Sequence, residues 1–191
     1  MWLNNPMTDT VLLIAGIMLW YAAHLFKRVA PKIREPMGER GKGVVALALL
    51  ASIILMVFGY RGIEPVYLWH PPLWLVHVNN LMVLIAIFML SPAPKKGALL
   101  TGMRHPMLVG FLLWATAHLL VNGELASVIL FGTLGIWAVV EMAVINRAEP
   151  DWQPGPKGTI VKDGLFLAAS LGLLAVIGYI HGLIGPSPFP G

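Results

Sequence analysis

The chain has 191 residues, 58% hydrophobic and 12% charged, with a mean hydropathy of +0.78, whereas ordinary soluble domains are about one quarter charged. That balance excludes a water-soluble domain, and the absence of Cys excludes disulfides, thiolate zinc sites, iron–sulfur clusters and cysteine nucleophiles. In so apolar a chain, the +4 formal charge and pI near 9.6 read as topology signals rather than a nucleic-acid footprint, and one membrane domain over residues 1–191 is expected.

Crossing roughly 30 Å of hydrocarbon takes about 20 apolar residues in a helix. Six stretches bounded by charge, Pro or Gly meet that pattern: approximately Thr10 to Phe26, Gly43 to Tyr60, Leu73 to Leu90, Met107 to Val121, Leu125 to Ile145 and Leu165 to Ile184. The fourth is short, and the apolar run Gly97 to Met103 before it can dip into the membrane ahead of the break at Arg104-His105-Pro106. The loops after spans one, three and five carry 12 of the 13 basic residues: Lys27, Arg28, Lys32, Arg34, Arg40 and Lys42, then Lys95, Lys96 and Arg104, then Arg147, Lys157 and Lys162. The positive-inside rule places those loops in the cytoplasm and both termini outside. The first run follows no basic residue, which predicts a retained span rather than a cleaved signal peptide. Aromatic anchors agree, with Trp2, Tyr67, Trp69, Trp74 and Phe189 at the outer interface and Trp152 in a cytoplasmic loop. The expected fold is therefore an all-α polytopic membrane bundle of about six transmembrane helices, with the lipid bilayer as its first partner.

Ionisable and polar side chains inside a span cost several kcal/mol unless they face the bundle or a cavity, so they are the first functional candidates. They are His24, His77, Asn79, Asn80, His118, Glu141 and His181, with His105 at the start of span four. Neutral imidazole ligates haem and many transition metals, and two histidines from different helices can clamp a haem iron. At about 1.5 Å per residue, His24 and His118 differ in depth by roughly 6 Å, and depth alone lets His24 pair with either His105 or His118. Trp20 lies one turn before His24 and Trp114 one turn before His118, so each imidazole shares a face with a large aromatic. The competing assignment for each histidine is a helix-to-helix hydrogen bond, which is the expectation for His77 and His181. Glu141 is expected to carry a proton, touch a cofactor, snorkel or pair with a basic residue such as Arg104. Asn79 and Asn80 suggest interhelical hydrogen bonds, and Gly178 with Gly182 a site of close helix packing.

Pro106 suits the first turn of a helix, which sets Arg104 and His105 at its positive end, an anion site for a phosphate, propionate or carboxylate. His105 and His118 stand 13 residues apart. That is about 220° around a continuous helix, so they serve different faces.

The strings Arg104-His105-Pro106-Met107-Leu108-Val109-Gly110 and Trp114-Ala115-Thr116-Ala117-His118-Leu119-Leu120-Val121-Asn122-Gly123 resemble the signature of the NnrU family of bacterial membrane proteins, which includes the 15-cis-zeta-carotene isomerases. His24 late in span one, Glu64-Pro65, Trp69 and Pro71-Pro72 before span three, and the order of spans add to the likeness. The resemblance implies a bacterial inner-membrane protein that binds haem b through His24 and His118, with His105 and Arg104 at the cofactor and Glu141, Trp114 and Trp20 as secondary positions. It implies a redox or isomerase-like role in nitrite and nitric oxide metabolism (denitrification) or carotenoid isomerisation, with a carotenoid, a quinone or a nitrogen-oxide reductase as partner. No catalytic residue follows from it. The isomerase branch has Cys where this chain has Ala115, which removes thiolate ligand switching. Two other functions compete: a non-enzymatic assembly or support factor for nitrogen-oxide respiration, and an S-adenosylmethionine-dependent methyltransferase of the isoprenylcysteine or phospholipid type. Arg104, His105, Pro106 and Gly110 also resemble the latter's motif, but Leu108 stands at its Tyr position.

Overall fold

Burying backbone polar groups in lipid leaves a helix as the natural solution for each apolar stretch. The computed structural model, which describes residues 6–189, has helices at all six expected places and no strand among those residues. We number them α1 (Pro6–Val29), α2 (Gly38–Gly62), α3 (Leu75–Leu90), α4 (Pro106–Val121), α5 (Leu125–Ala148) and α6 (Ile160–Ile184). By length and composition α1, α2, α5 and α6 are long and apolar enough to cross a membrane, so this is a multi-pass membrane protein. Helices α3 and α4 have 16 residues each. They are apolar but reach only about 24 Å, so four helices rather than about six have the length and composition of a span. Trp2, expected at the outer interface, lies outside the described residues.

The described residues form two compact units, 6–69 with 124–148 and 70–123 with 149–189. In the first, α1 lies along α2 and the two backbones come close at glycines. A Cβ built on Gly16 would sit 2.8 Å from Ser52 O and Met56 N, and one on Gly59 would sit 2.7 Å from Asp9 O. Leu13, Ser52 and Met56 fill that seam. Asp9 is also buried there, its Oδ2 meeting no hydrogen-bond partner among the described residues. Helix α5 joins this pair through Trp137 and Ala138. It begins with a π-helical stretch, Val128–Gly132, which displaces the usual carbonyl partners; Tyr21 Oη donates to Thr133 O at 2.5 Å beside it. At the far end Tyr60, Glu124 and Ser127 form a hydrogen-bonded cluster, and Leu125 N donates to Val66 O at 2.8 Å.

In the second unit α3 packs on α4, where Gly110 admits Ala86 and Met89, and Ala117 is fully buried. With its nitrogen turned toward α4, the Asn79 amide donates to Ala117 O at 3.0 Å, the interhelical bond expected of it. Asn80 Nδ2 instead reaches Pro188 O at 2.8 Å. The expectation of close helix packing at Gly178 and Gly182 is corrected: the Phe189 ring occupies the space a Gly178 Cβ would take, and Ser187 faces Gly182, so these glycines receive the chain's own tail.

The segment Gly97 to Met103 is a series of bends and turns held by α6. Asp163 Oδ2 accepts from Ala98 N at 2.7 Å and Leu99 N at 3.1 Å, and Gly158 N donates to Gly97 O at 3.0 Å. Helix α6 therefore starts at Ile160, five residues before the hydropathy pattern predicts, capped by Thr159, whose side chain accepts from Lys162 N.

Candidate functional site

His24 and His118 are each placed by a repeated local pattern, Trp-x-x-Ala-His, found at Trp20 to His24 and again at Trp114 to His118. In a helix, positions i and i+4 share a face, so the indole and imidazole rings meet. Their centroids are 4.3 Å apart with a 44° tilt in the first case, and 4.8 Å with a 52° tilt in the second. His24 Nδ1 lies 3.0 Å from Trp20 O, and His118 Nδ1 lies 2.9 Å from Trp114 O. A carbonyl oxygen cannot donate, so Nδ1 must hold the proton in both rings. The neutral imidazole then carries its lone pair on Nε2, the arrangement in which histidine commonly binds a metal while its other N–H is fixed by a carbonyl. The Ala of each motif, Ala23 and Ala117, is buried, which lets the neighbouring helix come close to the histidine's turn.

Around His24 the first unit adds residues that the sequence did not single out. Trp137 of α5 stacks at 4.4 Å from the His24 ring and 5.2 Å edge-on from Trp20, so the imidazole sits among two indoles. One turn further along each helix, Arg28 follows His24 and Glu141 follows Trp137, and Arg28 Nη1 donates to Glu141 Oε1 at 3.4 Å. This corrects the pairing with Arg104: the cation at Glu141 is Arg28, on the adjacent helix of its own unit. The pair is largely desolvated, with side-chain exposures of 22% for Arg28 and 8% for Glu141. Glu141 Oε2 is buried with no donor among the described residues. Trp137 was detectable in principle, because it stands four residues before an intramembrane Glu. Arg28 was hidden among the topology-setting basic residues.

In the second unit the Trp114 ring beside His118 also meets the Phe111 ring, 5.1 Å away. Pro106 opens α4 as expected, with His105 as the residue before it. Arg104 turns toward the loop after α5: it donates through Nη2 to Glu149 O, and its guanidinium lies 5.9 Å over the Trp152 ring. Its Nε is buried without an acceptor among the described residues. His77 is exposed, and the exposed His181 ring donates through Nδ1 to Pro186 O at 2.7 Å, which ties it to the chain's own tail.

Among the described residues no group of three or more His, Asp or Glu is placed to hold a metal ion. A haem iron asks for only two axial side chains, and an imidazole with its lone pair on Nε2 meets that need. His24 stands in the first unit and His118 in the second, each with the same tautomer.

Four helices long and apolar enough to cross a membrane, with two shorter apolar helices, define a multi-pass helical membrane protein, and two of its helices carry an imidazole fixed by a carbonyl one turn back. The chain belongs to the NnrU protein family, which it matches over residues 12–188. No curated protein and no solved structure matches it.

Proposed function

We propose that the protein binds haem b in a bacterial inner membrane through His24 and His118 and serves a redox or isomerase-like role. The observation that carries this reading is the duplicated Trp-x-x-Ala-His turn, which sets the Nε2 lone pair of two intramembrane imidazoles by the same hydrogen bond. When bound, haem b supplies one-electron chemistry at its iron. The chain's part is to orient the imidazoles through Trp20 O and Trp114 O, and to shield each ring, His24 with Trp20 and Trp137 and His118 with Trp114. Arg104 adds a buried Nε donor that a propionate carboxylate would satisfy, with His105 next to it at the start of α4. Were His24 and His118 both to hold the iron, electron transfer would be the simplest role. A quinone or carotenoid in the bilayer, or a nitrogen-oxide reductase in denitrification, is the proposed partner class.

The test is the reduced-minus-oxidised absorption spectrum of detergent-purified protein from haem-replete cells, with haem stoichiometry, in the native sequence and in His24→Ala and His118→Ala. The reading predicts a low-spin spectrum near one haem per chain that changes in both variants. Unaltered spectra in both variants refute the ligand assignment. A folded, haem-free protein points instead to the assembly-factor role, and binding of S-adenosylmethionine lost on Arg104→Ala points to methyl transfer.

A further inference from the structure

We propose that the segment from Lys27 to Lys42 is a binding surface for the anionic phospholipid headgroups of the cytoplasmic leaflet. It holds six basic and two acidic residues, so its net charge equals the +4 of the whole chain, and the other residues balance at seven basic against seven acidic. Topology alone asks for a basic bias on one side of the membrane. Here the entire net charge is concentrated in one connection between two spans.

That connection is also built as an ordered corner. Helix α1 ends at Val29, the chain bends at Ala30, and a helical turn Pro31–Arg34 runs into a 3-10 turn Glu35–Met37. The corner closes at Gly38, the first residue of α2, whose φ of 51° is in the region that favours glycine. Arg34 Nη1 donates to Gly38 O at 3.3 Å, and the guanidinium covers Gly41, where a Cβ would overlap it. Lys42 pairs with Glu39 at 2.7 Å. Lys27, Lys32 and Arg40 are exposed and make no ion pair among the described residues. Next to these cations, Val29 is 72% exposed and Ile33 64% exposed. Apolar side chains beside unneutralised ammonium and guanidinium groups, at the end of α1 and just past it, suit one neighbour: acyl chains below and phosphates above. Basic clusters immediately cytoplasmic of a span bind anionic lipid in this way.

The chain has no Cys, so Ile33→Cys gives a single attachment point for a fluorophore. The labelled protein is reconstituted in phosphatidylcholine vesicles with about 30% phosphatidylglycerol, and quenching by nitroxide-labelled phosphatidylglycerol is compared with quenching by nitroxide-labelled phosphatidylcholine. The expected result is stronger quenching by the anionic lipid. The preference falls by about fivefold for each charge removed in Lys32→Gln, Arg34→Gln and Arg40→Gln. It also falls in the unsubstituted segment at about 1 M salt, where the screening length shrinks to about 3 Å, and this second measurement holds even where the variants fail to insert. Equal quenching by the two lipids, or a preference untouched by salt, overturns the proposal, as does a label shielded only when a second protein is added.

Discussion

The α1–α2 seam sets the position of His24, because α1 carries that residue and lies against α2 through glycines. Gly59→Ala tests the seam directly. The added methyl would fall 2.7 Å from Asp9 O and 2.8 Å from Leu13 Cα, where ordinary contact begins at 3.4 Å. Its obstacle is backbone, with Leu13 N nearer still, so no rotamer change relieves it, and α1 must retreat by about 1 Å. A gap of roughly that size forfeits a quarter to a half of each van der Waals contact along the seam, which includes fully buried Leu13 and Ser52. Overpacking of this kind costs about 1–3 kcal/mol, or about 4–8 °C in Tm for a mid-range value at this chain length. Gly172→Ala in α6 is the matched control: nothing lies within 4 Å of its Cβ position, and Ala favours a helix over Gly by about 1 kcal/mol, so stability should hold or rise. Thermal unfolding in one detergent reads both. Equal Tm values for the two variants, or a larger loss at Gly172, would refute the reasoning.

Glu141→Leu leaves the Arg28 guanidinium without that carboxylate in a largely desolvated position, and should cost about 3 kcal/mol in thermal unfolding. Adding Arg28→Leu should regain most of it; a double variant as unstable as the single one would contradict the pairing. Asp163→Ala removes the acceptor for Ala98 N and Leu99 N, two charge-assisted bonds worth about 1.5–3 kcal/mol each before compensation. Cleavage by trypsin at Lys95 and Lys96 should then accelerate by at least about tenfold, the equivalent of 1.4 kcal/mol, and an unchanged rate would show that the clasp is held by other contacts. Gly178→Leu fills the space of the Phe189 ring, so it should expose the C-terminal tail to proteolysis while leaving helix content by circular dichroism unchanged. Lost helix content would mean that the glycine faces another helix.

Where each helix lies was legible because the apolar runs are long and Pro106 marks its own helix start. The ends were less so. Helix α6 extends past Lys162 and Asp163, which a hydropathy reading treats as loop, because the Asp163 carboxylate is satisfied by loop amides that only the folded chain brings to it. The π-helical stretch Val128–Gly132 has no composition that distinguishes it from ordinary helix. The histidine turns were visible as strings, and the ring and hydrogen-bond geometry follows from i,i+4 spacing alone. What the sequence did not disclose was which helix meets which: Trp137 against His24 and Arg28 against Glu141 both depend on α5 returning to α1, a pairing more than 100 positions apart.

The central claim, axial ligation by His24 and His118, is tested most directly by chemical rescue. In His24→Gly and in His118→Gly, the account predicts loss of the low-spin absorption spectrum and its return when free imidazole is added to each variant. A low-spin spectrum that persists in both variants without imidazole would contradict it.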